Sequence, residues 1–205
     1  MKRCGKAAES LTINRQTDEL LSPVLEKLDG LPDKGRVIIA VDGGSASGKT
    51  TLSKILEDVY VCTVFHMDDF FLQKHQRTPE RLAEIGGNVD RERFLTQVLE
   101  PLSRGEDIAY RRFDCSSMSL TDKVNIIPER LVIVEGAYSM HPDLEGYYDF
   151  SVFLDIAPGL QRERILKRNT AEKAQRFFDE WIPLENAYFE KTDIKQRCDT
   201  VISVR

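Results

Sequence analysis

Val37-Ile38-Ile39-Ala40-Val41-Asp42-Gly43-Gly44-Ser45-Ala46-Ser47-Gly48-Lys49-Thr50 carries an apolar run directly into a complete G-x-x-x-x-G-K-T pattern. The run from Arg36 to Val41 reads as a buried strand of a parallel sheet, and Lys49–Val59 behind it has helical spacing. Strand, loop and helix in that order are the context this pattern requires. The glycines let the backbone curl so that successive N–H groups converge, and the helix adds its positive N-terminal end. Lys49 then supplies charge at the β and γ phosphates of a nucleotide, while the Thr50 hydroxyl is the hard oxygen that Mg²⁺ prefers. A magnesium nucleotide is the expected ligand. A chance glycine-rich turn, the alternative, would not need the flanking strand and helix.

Outward from this loop, short apolar runs recur at Tyr60–Phe65, Leu131–Val134, Phe150–Leu154 and Thr200–Val204. Segments with helical spacing, Arg91–Leu102, Leu160–Arg168 and Ala171–Phe189, lie between them. This alternation predicts an α/β fold with a parallel sheet covered by helices on both faces. Upstream, Leu20, Leu21, Val24, Leu25 and Leu28 share one helical face despite Pro23, and Gly30, Pro32 and Gly35 then punctuate the chain. The reading is therefore an N-terminal helical extension over residues 1–34 and one domain over 35–205. Leu72–Asn88 and Tyr110–Pro128 have weak periodicity and are expected as loops or an excursion at the strand ends, where α/β folds hold substrates.

Acids follow two of the predicted strands. Phe65-His66-Met67-Asp68-Asp69-Phe70-Phe71 brings two carboxylates to the edge that carries the phosphate loop. Side chains alternate in extended chain, so one of Asp68 and Asp69 is expected to face the nucleotide, accept a proton from a hydroxyl and help hold Mg²⁺. A pair of solvated acids or a helix cap is the alternative. Glu135, between Val134 and Gly136, takes the strand-end position whose acid orients water on Mg²⁺ or contacts the phosphate region, the alternative being a strand-end acid paired with a lysine. Arg164, Lys167 and Arg168 fall on one helical face, as lid cations that close over phosphates or as an exposed charged face. His66, His75 and His141 lack partners at ligand spacing and read as surface or strand-end residues. Phe177, Phe178, Trp181, Tyr188 and Phe189 read as the packing face of a C-terminal helix.

The 205 residues, 41% hydrophobic and 31% charged, describe a globular chain able to bury a full core. Its longest apolar runs fall far short of the roughly 20 residues that span a bilayer, and Met1-Lys2-Arg3 leads into no apolar segment. A cytoplasmic protein without a membrane partner is expected. Cys4, Cys62, Cys115 and Cys198 form no close pair, so reduced thiols are the default reading. A net charge of −5 argues against broad nucleic-acid binding. The expected partner is a small-molecule phosphate acceptor, with homo-oligomerisation left open.

Over roughly residues 35 to 204 the chain resembles the uridine kinase and phosphoribulokinase family of P-loop kinases. Gly43–Thr51 is similar to the family's phosphate loop, Asp68-Asp69-Phe70-Phe71 to its Asp-Ser-Tyr/Phe-Tyr motif, and Asn88-Val89-Asp90 to its Asn-Tyr/Phe-Asp motif. Val134-Glu135-Gly136 resembles its Glu-Gly strand end, and Arg164 to Asn169 its basic lid. The resemblance implies a P-loop NTPase fold with a parallel sheet of about five strands and a lid. It also implies ATP-dependent phosphorylation of a hydroxyl, with Asp68 as catalytic base and Asp90 binding the acceptor's hydroxyls. Where uridine kinases carry Pro-x-Tyr-Asp-Phe and then a His to hold the pyrimidine, Phe113, Cys115 and Met118 stand for the Tyr, Phe and His. Uridine is therefore expected to be a poor substrate. Arg111 and Arg112, beside this stretch, are suited to an acidic or phosphorylated acceptor, or are simply exposed charges. A regulatory nucleotide-binding or ATPase module is the other class, but it would not need Asp68 or Asp90.

Overall fold

The computed structural model describes residues 15–31 and 35–205, with side chains from residue 21 onward. Cys4 and the Met1-Lys2-Arg3 leader lie outside the described residues. Strand β1 (Val37–Gly43) is buried along its whole length, because it runs down the middle of a parallel sheet covered on both faces. The phosphate loop connects it to α2 (Lys49–Val59), and β2 (Cys62–His66) follows. A 3₁₀ turn, Met67–Phe70, leads through α3 (Pro79–Ala83) to α4 (Arg91–Phe94), which passes through a π turn into α5 (Glu100–Ser103).

Next come β3 (Ile108–Asp114) and β4 (Ser119–Ile126), then β5 (Leu131–Glu135) and β6 (Phe150–Ile156). The chain closes with α6 (Pro158–Arg168), α7 (Ala171–Arg176), a π turn at Phe177–Trp181, α8 (Ile182–Thr192), α9 (Ile194–Arg197) and β7 (Thr200–Val204). Five strands, ordered β2-β5-β1-β6-β7 and all parallel, make the main sheet. The order turns back on itself at β1, with β5 on one side and β6 on the other. That is the switch point where such sheets open a crevice for ligands.

Alternation along β1 divides the core. Val37, Ile39 and Val41 pack with Leu52, Leu56 and Val59 of α2 on one face, and Leu21, Val24 and Leu28 of α1 (Arg15–Gly30) join them. Ile38 and Ala40 point the other way, into a cluster with Phe65, Phe94, Val98, Tyr110 and Tyr188. The expected elements are present, with one correction: Tyr110–Pro128 is mainly an antiparallel hairpin rather than a loop. Its periodicity is weak because β4 is largely exposed, so only β3 buries side chains, at Ile108, Tyr110 and Phe113. Among the described residues no helix is long and apolar enough to cross a membrane, and Cys62, Cys115 and Cys198 are free thiols.

Candidate active site

The phosphate loop owes its shape to two glycines. Gly43 and Gly48 have φ of +141° and +106°, and a Cβ on Gly43 would lie 2.6 Å from the Leu154 carbonyl oxygen of the neighbouring strand. Within the loop, Lys49 Nζ donates to the carbonyls of Gly43 (2.8 Å) and Gly44 (2.9 Å), which keeps the cation over the loop mouth. The Ser47 hydroxyl is buried and has no hydrogen-bond partner among the described residues, so this cradle retains unused hydrogen-bonding capacity. A curled loop at a helix N-terminus, a Lys and an unspent hydroxyl fit the phosphates of ATP. The described residues hold no cluster of three or more His, Cys, Asp or Glu suited to a metal. Mg²⁺ bound through phosphates and water needs no such cage.

Parallel register explains the acids beside the loop. His66 and Glu135 are paired residues at the carboxyl ends of adjacent β2 and β5, so the His66 ring meets the buried carboxylate, Nδ1 to Oε1, at 2.6 Å. The Thr50 hydroxyl donates to the same Glu135 oxygen at 3.1 Å. Burial pushes the Glu135 carboxyl up, but the His66 bond and charge, with Lys49 and Thr50, bring it below the usual carboxylate value. That bond raises the His66 imidazole in turn. His66 read as a partnerless strand-end residue. Its partner comes from a strand about seventy residues away in sequence, so spacing carried no signal for it.

Asp68 and Asp69 lie in the 3₁₀ turn rather than in extended chain. Asp68 is exposed to solvent at the end of β2, with the body of the protein packed behind it. Desolvation on that side pushes its pKa up, Glu135 and Asp69 push the same way, and Lys49 and His66 oppose them. Asp69 is engaged elsewhere: its Oδ2 accepts the Tyr110 hydroxyl at 3.0 Å and faces Arg112 Nε at 3.3 Å. The pair thus divides its work, Asp68 toward the lysine and Asp69 toward the hairpin.

Of the three cations read on one helix face, Arg164 reaches the phosphate loop, its Nη1 donating to the Ala46 carbonyl at 3.0 Å and the Ser47 carbonyl at 3.3 Å. Lys167 and Arg168 are exposed in the last turn of α6. The loop also receives Gln161 and Glu185, both bonded to Ser45, which motif reading missed. Of the C-terminal aromatics, Tyr188 is fully buried in the core, and Phe177 and Phe178 pack on Ala46 and Ile165.

Asp90 is buried and caps α4, its Oδ1 accepting the Arg93 N–H at 3.2 Å. Its Oδ2 accepts from Arg93 Nε at 3.2 Å and Gln76 Nε2 at 3.0 Å, and its own N–H binds the Phe70 carbonyl beside Asp68 at 2.7 Å. A cavity of about 320 Å³ opens here, lined by Leu72, Gln76, Arg81, Asp90 and Glu92. Phe113 is buried edge-on to Phe71, whereas Arg112, Cys115 and Met118 are exposed.

Known proteins share this frame. The chain is 29% identical over 153 residues to a uridine kinase of Staphylococcus aureus, covering 69% of this chain and 72% of that one. It is 27% identical over 182 residues to the bifunctional alpha-galactosidase/sucrose kinase AgaSK of Mediterraneibacter gnavus; that match covers 78% of this chain but only 19% of the longer enzyme. Among solved structures, a possible uridine kinase from Bacillus stearothermophilus superposes with a TM-score of 0.69 at 21% identity, over 91% of this chain and 99% of that one. D-glycerate 3-kinase from Cryptococcus neoformans var. grubii gives 0.57 at 16%, over 82% and 86%. These likenesses show the P-loop NTPase fold. A family model matches residues 38–179, a span that takes in the phosphate loop, the strand-end acids and α6 together, and the chain therefore belongs to the phosphoribulokinase/uridine kinase family of kinases.

Proposed function

We propose that this kinase transfers the γ-phosphoryl group of ATP to a ribose-like or polyol-like hydroxyl, with Asp68 as the general base. The observation that carries the proposal is geometric: the turn that holds Asp68 leaves β2 directly after His66, whose ring meets Glu135 and, through it, Thr50 of the phosphate loop. The Asp68 carboxyl is pushed up from the ordinary Asp value and lies within electrostatic reach of Lys49 and Glu135. A base of raised pKa accepts a hydroxyl proton more readily than an ordinary aspartate does. Bound Mg-ATP supplies the phosphoryl group and the cation that neutralises charge developing on it. The loop residues Gly43–Thr51 would hold the phosphates, Thr50, Glu135 and Asp68 would serve the cation, directly or through water, and Lys49, Arg164 and Arg168 would offset the transferred charge. Asp90, with one lone-pair position left beside its three hydrogen bonds, receives an acceptor hydroxyl.

The acceptor class is inferred from the residues that stand where uridine kinases hold the pyrimidine. Phe113 and Met118 offer a pyrimidine no hydrogen bonds, and a site without such groups forgoes discrimination that can reach about 10⁴-fold. Carboxylate, amide and guanidinium groups around the cavity beside Asp90 suit hydroxyls instead. A uridine kinase and a sucrose kinase both stand among the relatives, so both acceptor types belong in the test. ADP release would be followed with uridine, cytidine, monosaccharides, sucrose and acyclic polyols. A sugar or polyol should reach a kcat/KM of about 10⁴ M⁻¹s⁻¹ or more, ordinary for a true substrate, with uridine far below it. Uridine at that level overturns the acceptor assignment.

A further inference from the structure

Ser45, the third residue of the phosphate loop, is gripped at every polar atom by side chains from the C-terminal helices. Glu185 of α8 accepts its hydroxyl at 2.5 Å and its N–H at 2.8 Å, while Gln161 of α6 donates to its carbonyl at 2.9 Å. Three residues along the same face of α8, Tyr188 donates to Asp42 Oδ2 at 2.8 Å. Asp42 in turn accepts the N–H groups of Gly43 (2.6 Å) and Met140 (2.9 Å). One helix face therefore holds the loop at its entry and again at Ser45. Glu185 is only 5% exposed, and it lies beyond residue 179, where the family match ends.

A buried carboxylate this close to a triphosphate site acts in two opposed ways. Through space it repels the anionic ligand, and through its two hydrogen bonds it holds the loop in one shape. Preorganised N–H groups bind an anion without a reordering cost at the moment of binding. We propose that Glu185 is a positioning residue for the nucleotide, and that its hold on Ser45 outweighs its repulsion of the phosphates. Binding of ATP is thereby tied to the seating of α8 on the loop.

The inference rests on the phosphate loop being the nucleotide site, and its test separates the two effects. Calorimetric titration with Mg-ATP would compare the wild type with Glu185→Ala, which loses both bonds, and Glu185→Gln. The Gln amide can accept from the Ser45 N–H and donate to its hydroxyl without a charge. Glu185→Ala should weaken ATP binding about tenfold or more, the scale of losing bonds to a charged group. Its KM for the acceptor should stay unchanged, a split that general loosening of the fold would not give. Glu185→Gln should return affinity to within about threefold of the wild type. Unaltered binding by Glu185→Ala overturns the proposal, as does Gln binding as weakly as Ala. Gln binding about tenfold tighter than the wild type also overturns it, because repulsion would then be the larger effect. Should Glu185→Ala fail to melt cooperatively, Ser45→Ala, which removes the hydroxyl bond and keeps the carboxylate in place, decides: it should weaken ATP binding by about threefold or more, and unaltered binding overturns the proposal. Wild-type protein that binds no ATP sinks the phosphate-loop reading as well, whereas wild-type binding with an indifferent Glu185→Ala sinks this inference alone.

Discussion

Single side chains divide the chemistry here by what each is already bonded to. Lys49 rests on two loop carbonyls that phosphate oxygens can replace as its partners. Lys49→Ala should leave a folded protein that binds ATP weakly and does not turn over, measured by ADP release and by a melting curve close to the wild type. Near-normal turnover would remove the phosphate-loop assignment. Asp68 and Asp69 are the sharper pair, because they are neighbours of the same type. Asp68→Asn should keep ATP binding and lower kcat by about 10²–10⁴, the contribution of a positioned base. Asp69→Asn should lower kcat less, since Asp69 is occupied by Tyr110 and Arg112. Steady-state kinetics on the two variants, with losses in the reverse order, would exchange their roles.

At the scale of elements, the junction of β1 with the phosphate loop tolerates no side chain at Gly43. Its φ of +141° is unfavourable for any other residue, and the 2.6 Å approach of a Cβ to the Leu154 carbonyl meets backbone of an adjacent strand, which cannot rotate away. Gly43→Ala should cost about 2 kcal/mol or more, read as a lowered midpoint in urea unfolding; a midpoint equal to the wild type would contradict the geometry. The hairpin shows the converse case, an element held by a few specific contacts. Tyr110 stacks on Phe70 with ring centroids 5.2 Å apart, and its hydroxyl reaches Asp69, so β3 is fastened to the turn that carries both acids. Arg93 completes this joint from α4, with its guanidinium over the Phe70 ring and bonds to the Asp69 and Arg111 carbonyls.

Over the whole molecule, α1 belongs energetically with the sheet. Val24 and Leu28 are fully buried in the core that β1, α2 and β6 also fill, on the side of the sheet opposite Tyr110 and Tyr188. Leu28→Ala should therefore cost about 2–5 kcal/mol, the range for truncating a buried leucine, and lower the thermal midpoint by several degrees. The KM for ATP in the surviving folded fraction should stay as in the wild type, because the bonds that hold the phosphate loop come from Lys49, Gln161, Arg164 and Glu185, all outside α1. A change below about 1 kcal/mol would mean that α1 rests loosely on the sheet.

Local sequence was enough for the phosphate loop and the strands of the main sheet, though not for the 3₁₀ turn that carries Asp68 and Asp69. The run into Gly43–Thr50 specified strand, anion loop and helix, because glycine freedom and helix-end polarity act within a few residues. The same holds for five apolar runs that become the five parallel strands, and for acids at the ends of two of them. The hairpin escaped because β4 is mostly solvated, so alternation along it could not mark a core face. Partners distant in sequence were beyond any spacing argument. Parallel register set His66 against Glu135, side-chain bonding turned Asp69 away toward Tyr110, and helix packing laid Glu185 on Ser45 across 140 residues of chain. Hydrogen bonds act over about 3 Å, so which distant groups come within that range is decided only when the sheet and helices pack.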